Sequence, residues 1–480
     1  MVMTFRKRVV RILLFAGFIL CSYAFYYCWQ LIAIGAAYKA KVLCSGVFIS
    51  MRSPHDIMRE DLEDIPSMID AKIDFAAKSV TASFPGVPAQ RAVFRVGLGC
   101  TLLSGASDVE MQRHVSKVGI NPLASPAGKR KTGGLRYPDE GLPLEVSSEK
   151  LAKAIDGAFS EKSADNPVRT RAIVVVYDGQ IVGECYAAGI SADTALPGWS
   201  MTKSVTNALV GILVKEGKLS VDRPAPIAEW SGAGDPRRAI TLDHLLRMSS
   251  GLKFDERYGP AVSDVNRMLL RSPDAAACAI TKSIRYEPGS HWQYSSGTTN
   301  IISRIIRDNV GGSLETYHAF PRQALFEKIG MDSAVMEVDA VGTFVGSSFM
   351  YATARDWARF GLLYLNDGLW AGERILPQGW VSYSRKPSST APLGRYGAHF
   401  WTNGGNIAGG KPKPLEKLPA DTFYAAGYEG QYVIIIPSRK LVVVRLGMTR
   451  NIRAWDMESF VSEVLAAIAN DEKASDCMGD

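Results

Sequence analysis

The chain has 480 residues, of which 47% are apolar and 21% charged, a balance that excludes a mainly disordered chain and supplies a large core. Its net charge of +7 is concentrated: residues 1–60 carry eight basic and two acidic side chains, so the remaining 420 are close to neutral. A nucleic-acid binder needs a basic face on its folded part, so nucleic acid is excluded as a partner, and a mean hydropathy of +0.00 excludes a polytopic membrane protein.

Residues 1–11 form a basic N-terminus with Arg6, Lys7, Arg8 and Arg11. Residues 12–37 follow without a single charge, Gln30 being the most polar. About 20 apolar residues span a bilayer as a helix, and Tyr23, Tyr26, Tyr27 and Trp29 suit such a segment. An uncleaved signal anchor is expected. A cleaved signal peptide, whose apolar region is usually about 7–15 residues, is the alternative. The basic flank places the N-terminus in the cytoplasm. The expected location is therefore the inner membrane of a bacterium, single-pass, with the body of the protein periplasmic.

Residues 38–146 read as a leader region and linker. Short strands are expected at 80–84 and 92–96, and Gly, Pro and Lys accumulate over 121–138. Cys44 and Cys100 flank the leader and would face an oxidising space, so a disulfide between them is expected. Cys21 and Cys28 lie within the span, and Cys185, Cys278 and Cys477 lie further on with no C-x-x-C pair anywhere. The six histidines show no metal-ligand spacing. Neither a metal nor a cofactor is expected.

The main domain is expected over residues 147–470, with a polar tail at 471–480. Residues 171–177 are β-branched and apolar, Asp178-Gly179 is a hairpin turn, and 180–186 return. A second hairpin joins 432–436 to 441–446 through Pro437-Ser438-Arg439. Met457, Phe460, Val461, Val464, Leu465 and Ile468 then follow the spacing of a helix lying on a sheet. Between the hairpins the signals are mainly helical. The expected fold class is α/β (α+β): an antiparallel sheet built from both ends of the domain and flanked by helices, with a helical insertion, plus an N-terminal transmembrane helix.

Ser200-Met201-Thr202-Lys203 is an S-x-x-K tetrad. The same pattern occurs at Ser147…Lys150 and Ser250…Lys253, but Ser147 sits at an expected helix cap and Ser250 in a glycine turn. Ser200 alone opens a long apolar run, Val205 to Val214. Residues i and i+3 share a helix face, so Lys203 can reach the Ser200 hydroxyl, and burial can lower a lysine pKa enough to make it a base. Tyr294, in Trp292-Gln293-Tyr294-Ser295-Ser296, stands in a loop just ahead of an apolar helix and is free to point into a cleft. Gly427-Tyr428-Glu429-Gly430-Gln431 leads into the last hairpin, where glycines permit close backbone approach and a backbone amide can serve an oxyanion hole with that of Ser200. Each reading has a structural alternative: a helix cap with a surface lysine, a packed aromatic, a turn or bulge.

In this order the three motifs resemble those of the penicillin-recognising serine hydrolases, in the branch holding class C β-lactamases, D-alanyl-D-alanine carboxypeptidases, related esterases and 6-aminohexanoate-dimer hydrolase. The stretches 240–252, ending in M-S-S-G-L, 353–361, and 375–377 before Trp380 are similar too, and the likeness covers about residues 165–470. The M-S-S-G-L wording leans toward the 6-aminohexanoate-dimer hydrolase branch. The resemblance implies a β-lactamase/transpeptidase-like fold and a serine hydrolase that cleaves a small-molecule amide or ester through an acyl-enzyme on Ser200. It implies Lys203 as general base and Tyr294 as proton relay. The amides of Ser200 and of Gly430 or Gln431 would hold the oxyanion. Ser296 stands where the family has Asn, and Tyr428 opens the third motif where a cation or His is usual, which implies poor penicillin turnover. The alternative substrates are peptidoglycan stems, cut by a D-alanyl-D-alanine carboxypeptidase, or β-lactams. A membrane-tethered penicillin-binding-like sensor or scaffold is the non-enzyme alternative. The rival α/β-hydrolase scaffold needs G-x-S-x-G, and Gly198-Trp199-Ser200-Met201-Thr202 lacks the second glycine.

Overall fold

The computed structural model describes residues 2–104, 135–136, 141–161, 163–404 and 414–469. The expected linker, apart from Leu135 and Arg136, and the polar tail with Cys477 lie outside them.

Helix α1 runs from Val2 to Phe48, eleven residues beyond the expected span. Residues 38–48 contain no proline and a single glycine, Gly46, so no strong breaker stops the helix at the end of the apolar stretch. Its two halves differ in surroundings. Phe18, Leu20 and Phe25 are about 70% exposed, whereas Ala33, Ala36, Ala37 and Ala40 are buried. The small residues of the second half let the helix lie close on a four-stranded antiparallel meander, β1 (Asp70–Asp74), β2 (Ser79–Phe84), β3 (Val87–Arg95) and β4 (Gly99–Leu102). Both expected leader strands fall in this sheet. The expected disulfide joins α1 to β4: Cys44 and Cys100 are bonded, with their Cα atoms 6.1 Å apart.

The larger body is built on a six-stranded antiparallel sheet. Its members in chain order are β5 (Thr170–Tyr177), β6 (Gln180–Tyr186), β7 (Trp401–Thr402), β8 (Phe423–Gly427), β9 (Gln431–Ile436) and β10 (Leu441–Gly447). Spatially they run β7-β8-β9-β10-β5-β6, so the first and last hairpins pair through Val176↔Val442 and Val174↔Val444. Side chains alternate across a strand, and both faces are covered. Val174, Val176, Val433 and Val442 face the helical layer, while Ile173, Val175, Ile434 and Val443 face the two terminal helices, Ser148–Phe159 and Met457–Ala466. This is why β5 reads as an unbroken apolar run rather than an alternating one. Helices α2 (Pro54–Glu60) and α3 (Ser148–Phe159) follow α1 in the chain, and the helical layer includes α4 (Thr202–Lys215), α5 (Asp264–Leu270), α6 (Ser296–Val310) and α7 (Ala354–Leu365).

The N-terminal unit is bonded to this body. Lys41 of α1 pairs with Glu337, whose other oxygen accepts from Ser45 Oγ at 2.8 Å and from the Cys100 amide at 2.7 Å, all of it buried. Asp61 takes Arg52 at 2.8 Å and Arg171 of β5 at 2.6 Å. Burial alone would raise the Asp61 carboxyl, but the two guanidiniums hold it below the usual carboxylate range. An unpaired charge in such a place is expensive, whereas a hydrogen-bonded pair is tolerated, so these contacts specify where α1 sits.

Candidate active site

Ser200 lies in a 3-10 turn, Trp199–Met201, that runs directly into α4. The residue before it, Trp199, adopts a left-handed φ of 47°, a conformation a bulky side chain rarely takes. Such strain persists where the surroundings over-determine it. Here Trp199 is held by Tyr38 of α1, stacked at 6.4 Å between centroids, by Phe349 at 6.2 Å and by Tyr428 at 5.9 Å. On the other side, Gly427 at the end of β8 abuts the carbonyl of Gly198, where any Cβ would collide with that oxygen. The end of β8 and the turn carrying Ser200 are therefore in backbone contact, and glycine at 427 is what allows it.

Lys203 is the second residue of α4 and is 1% exposed. Its Nζ donates to Ser200 Oγ at 3.1 Å, to Ser296 Oγ at 3.1 Å and to the Ser347 carbonyl at 2.9 Å. Burial lowers its pKa to about 8, with the nearby Glu256 carboxylate pulling the other way. The Tyr294 ring lies 4.8 Å from the same Nζ, and its hydroxyl interacts with Ser200. Burial raises the Tyr294 phenol, and the hydrogen bond with Ser200 opposes that rise. Tyr294 is fixed by an aromatic wall, stacking on Trp401 at 5.9 Å and meeting Tyr396 edge-on at 6.0 Å.

Ser296 is the first residue of α6. Besides meeting Lys203, its Oγ donates to Glu256 Oε1 at 2.6 Å and its amide to Glu256 Oε2 at 2.8 Å. The helix N-terminus and the two donors suit an anion there, although burial still raises the Glu256 carboxyl overall. Lys203, Ser296 and Glu256 thus form one hydrogen-bonded line. His399 is fully occupied elsewhere, its two ring nitrogens lying 3.0 Å from the Lys203 carbonyl and 3.2 Å from Thr299 Oγ1. Burial lowers its pKa to about 3, which leaves it a neutral brace between α4 and α6.

Of the residues singled out in the sequence, Ser200, Lys203, Tyr294 and Ser296 converge. Tyr428 lines the same cavity as Ser200. Gly430 and Gln431 follow it in the same turn, with the Gly430 carbonyl and the Gln431 side chain bonded to other groups. The Gly430 carbonyl accepts from Arg445 at 2.7 Å, and the buried Gln431 side chain clamps Gly447, donating to its carbonyl at 2.6 Å and accepting from its amide at 3.0 Å. Glu429 points to Arg450, 3.6 Å away, and burial raises its carboxyl to about 7. Sequence reasoning missed Glu256, Trp199 and Tyr38. Glu256 sits in an irregular loop 40 residues from its partner Ser296, and its single weak signal is an acid in D-E-R-Y-G just after the M-S-S-G-L stretch. Tyr38 stands in the sequence as the first residue of the leader region, just past the apolar span. The other two S-x-x-K serines behave as expected: Ser147 caps a helix, accepting from the Lys150 amide, and Ser250 precedes Gly251 at φ 74°.

The Beta-lactamase family model matches residues 155–451, more than half of the chain. The chain is 26% identical over 307 residues to 6-aminohexanoate-dimer hydrolase of Paenarthrobacter ureafaciens, covering 58% of this chain and 72% of that protein. Among solved structures it is similar to a Bacillus anthracis protein assigned as a 6-aminohexanoate-dimer hydrolase, with TM-score 0.52, 22% identity, and coverage of 70% of this chain and 89% of that one. It is also similar to a penicillin-binding protein homologue from Caulobacter crescentus, with TM-score 0.51, 15% identity, and coverage of 68% and 98%. These structural likenesses bear on the fold, which is β-lactamase/transpeptidase-like, whereas the family match covers the tetrad serine, the tyrosine loop and the last hairpin together. With its fold, its motif order and that match in agreement, the chain belongs to the beta-lactamase family and is a serine hydrolase.

Proposed function

We propose that this hydrolase cleaves an amide or ester bond of a small molecule through an acyl-enzyme on Ser200, as an amidase or esterase similar to 6-aminohexanoate-dimer hydrolase. The observation that carries the reading is the buried Lys203 ammonium, 3.1 Å from Ser200 Oγ, with a pKa lowered to about 8. In its neutral form Lys203 takes the Ser200 proton as Oγ adds to the carbonyl carbon. Tyr294, in contact with both, passes a proton to the leaving amine or alcohol. Water then enters, its proton returns along the same path, and the acid leaves Ser200 free. For the oxyanion, the amide of Ser200 and one from the Gly427–Gln431 turn would serve; the backbone contact between Gly427 and Gly198 and the presence of Tyr428 in the cavity with Ser200 support that placement. Among the described residues lining that cavity, the basic side chain is Lys41, and it is paired with Glu337. A β-lactam carboxylate therefore lacks a fixed cation there, which favours an uncharged amide or ester over penicillin. Assay of the purified protein against linear amides, cyclic amides, p-nitrophenyl esters and a penicillin tests this. The expected result is ester and linear-amide turnover exceeding penicillin turnover by at least about tenfold; penicillin as the best substrate overturns it.

The described residues contain one helix, α1, long and apolar enough to cross a membrane. We propose that it is an uncleaved anchor with the hydrolase on the periplasmic side, which the basic residues ahead of its apolar stretch and the exposed apolar surface of its first half support. Alkaline phosphatase fused after Ser53 is expected to be active in a bacterial host. An inactive fusion, with a cytoplasmic reporter active at the same position, reverses the orientation.

A further inference from the structure

Ser200 opens into a cavity of about 420 Å³, a volume typical of a small-molecule site. One wall is α1 itself, through Leu31, Ile32, Gly35 and Tyr38; the facing wall carries Leu269 and Leu270 of α5. Its charged side chains are committed, Lys41 to Glu337 and Asp64 to Arg450 at 2.6 Å, and Asn266, Tyr258 and Ser348 are bonded to the Tyr258 carbonyl, Glu256 and Ser347. Beyond Ser200 and the Tyr428 hydroxyl, what faces a ligand is mainly an apolar slot. At about 1.5 Å per residue, the stretch of α1 from Tyr38 to Leu31 is roughly 10 Å long, and Tyr38 stacks on Trp199, the neighbour of the nucleophile.

The far end of the slot coincides with the place where α1 leaves the protein. Leu31 is 50% exposed and Phe25 74%, while Ala33 is wholly buried. Residues 9–31 of the helix span about 34 Å at the same rise, close to the thickness of a bilayer core. The anchor and the cavity wall are therefore one continuous helix, and the slot ends where the membrane surface lies if α1 is an anchor. A polar or charged substrate gains nothing from such a wall, because it would be desolvated without partners. An alkyl chain gains by every methylene it withdraws from water.

Resting on the serine-hydrolase and anchor readings above, we infer that the substrate is an acyl amphiphile, an amide or ester of a medium- or long-chain fatty acid, whose alkyl chain lies along α1 and enters from the lipid side. Ser200 Oγ forms an ester with the acyl carbon, the C–N or C–O bond to the head group breaks, and the head-group amine or alcohol leaves with a proton. Water cleaves the new ester, releasing the fatty acid and restoring the serine hydroxyl.

The test uses the full chain reconstituted in phosphatidylcholine vesicles and four probes, p-nitrophenyl acetate, butyrate, octanoate and dodecanoate, each below its solubility limit. The expected kcat/KM rises at least about a hundredfold from acetate to octanoate. Gly35→Leu and Leu269→Trp, which fill the slot from opposite walls, each lower the octanoate-to-acetate ratio by at least about tenfold. A flat or falling series in the unaltered protein overturns the inference, as does a ratio that neither variant changes. Ser200→Ala separates the two levels: ester cleavage that survives it removes the serine-hydrolase reading itself, whereas Ser200-dependent cleavage with no gain for longer chains removes the acyl-chain inference alone.

Discussion

Ser200→Ala lowers kcat/KM for any substrate of this protein by about 10⁴-fold or more and abolishes covalent labelling by a fluorophosphonate, while the melting temperature moves by only a few degrees. The loss is large because the hydroxyl is the atom that becomes acylated, and what remains comes from binding and oxyanion stabilisation alone. The stability change is small because the substitution removes only two hydrogen bonds, with Lys203 at 3.1 Å and with the Tyr294 hydroxyl, on a half-buried side chain, each worth about 1 kcal/mol. The comparison variants separate chemistry from structure. Ser147→Ala removes a helix cap and costs about 1 kcal/mol of stability with activity retained. Ser250→Ala, in the glycine turn, also retains activity. Labelling that persists in Ser200→Ala and vanishes in Ser250→Ala would transfer the nucleophile to the other tetrad.

The pH dependence of acylation should show a limb near pH 8, below which kcat/KM falls about tenfold per pH unit. The sign follows from which form of Lys203 works. Burial disfavours the ammonium and lowers its pKa to about 8, so above that pH the amine is neutral and able to accept the Ser200 proton; below it the site is protonated and idle. Glu256 acts against burial by stabilising the ammonium. Glu256→Gln removes that charge while keeping an acceptor for Ser296, so the limb moves to lower pH. A limb that stays in place, or moves up, separates Glu256 from the catalytic lysine. Lys203→Met lowers kcat/KM by at least about 10³-fold, and Tyr294→Phe, which keeps the ring against Trp401, lowers it by about 10²-fold. Because Lys203 and Tyr294 meet at the same hydroxyl, their titration belongs to the pair. The double variant should then be little worse than Lys203→Met alone. Losses that multiply would assign the two residues independent roles.

The parts of the site that were legible in the sequence are those whose function depends on local spacing. An S-x-x-K tetrad at a helix start puts the lysine over the serine by helical geometry alone, and the 3.1 Å contact follows. Tyr294 was legible for a similar reason, standing one residue before the N-cap Ser295 of α6. The third motif was legible as a place, beside the turn that carries Ser200. A hairpin turn offers several amides within a few residues, and which of them faces the serine depends on how the turn packs against the residues around Ser200, which the turn sequence does not record. Glu256 was not legible because its partners are Ser296, 40 residues on, and Lys203, and an acid in an irregular loop carries no periodicity.

The fold divides along the same line. Val-rich strands with a tight Asp178-Gly179 turn, a closing hairpin and an amphipathic last helix determined by themselves an antiparallel sheet made from the two ends of the domain, because strand alternation and turn chemistry are short-range properties. The apolar run of residues 12–37 likewise determined a helix able to cross a membrane, which needs only length and hydropathy. Only the tertiary structure decided that this helix continues to Phe48, that the expected Cys44–Cys100 disulfide and the Lys41–Glu337 pair together tie it down, and that it forms a wall of the cavity into which Ser200 opens. Those contacts join residues separated by 56 positions for the disulfide and 296 for the ion pair. Which cysteines could pair was legible, but which helix face packs on the sheet and which acid meets Lys41 depend on how whole layers pack, and no local pattern of residues records that.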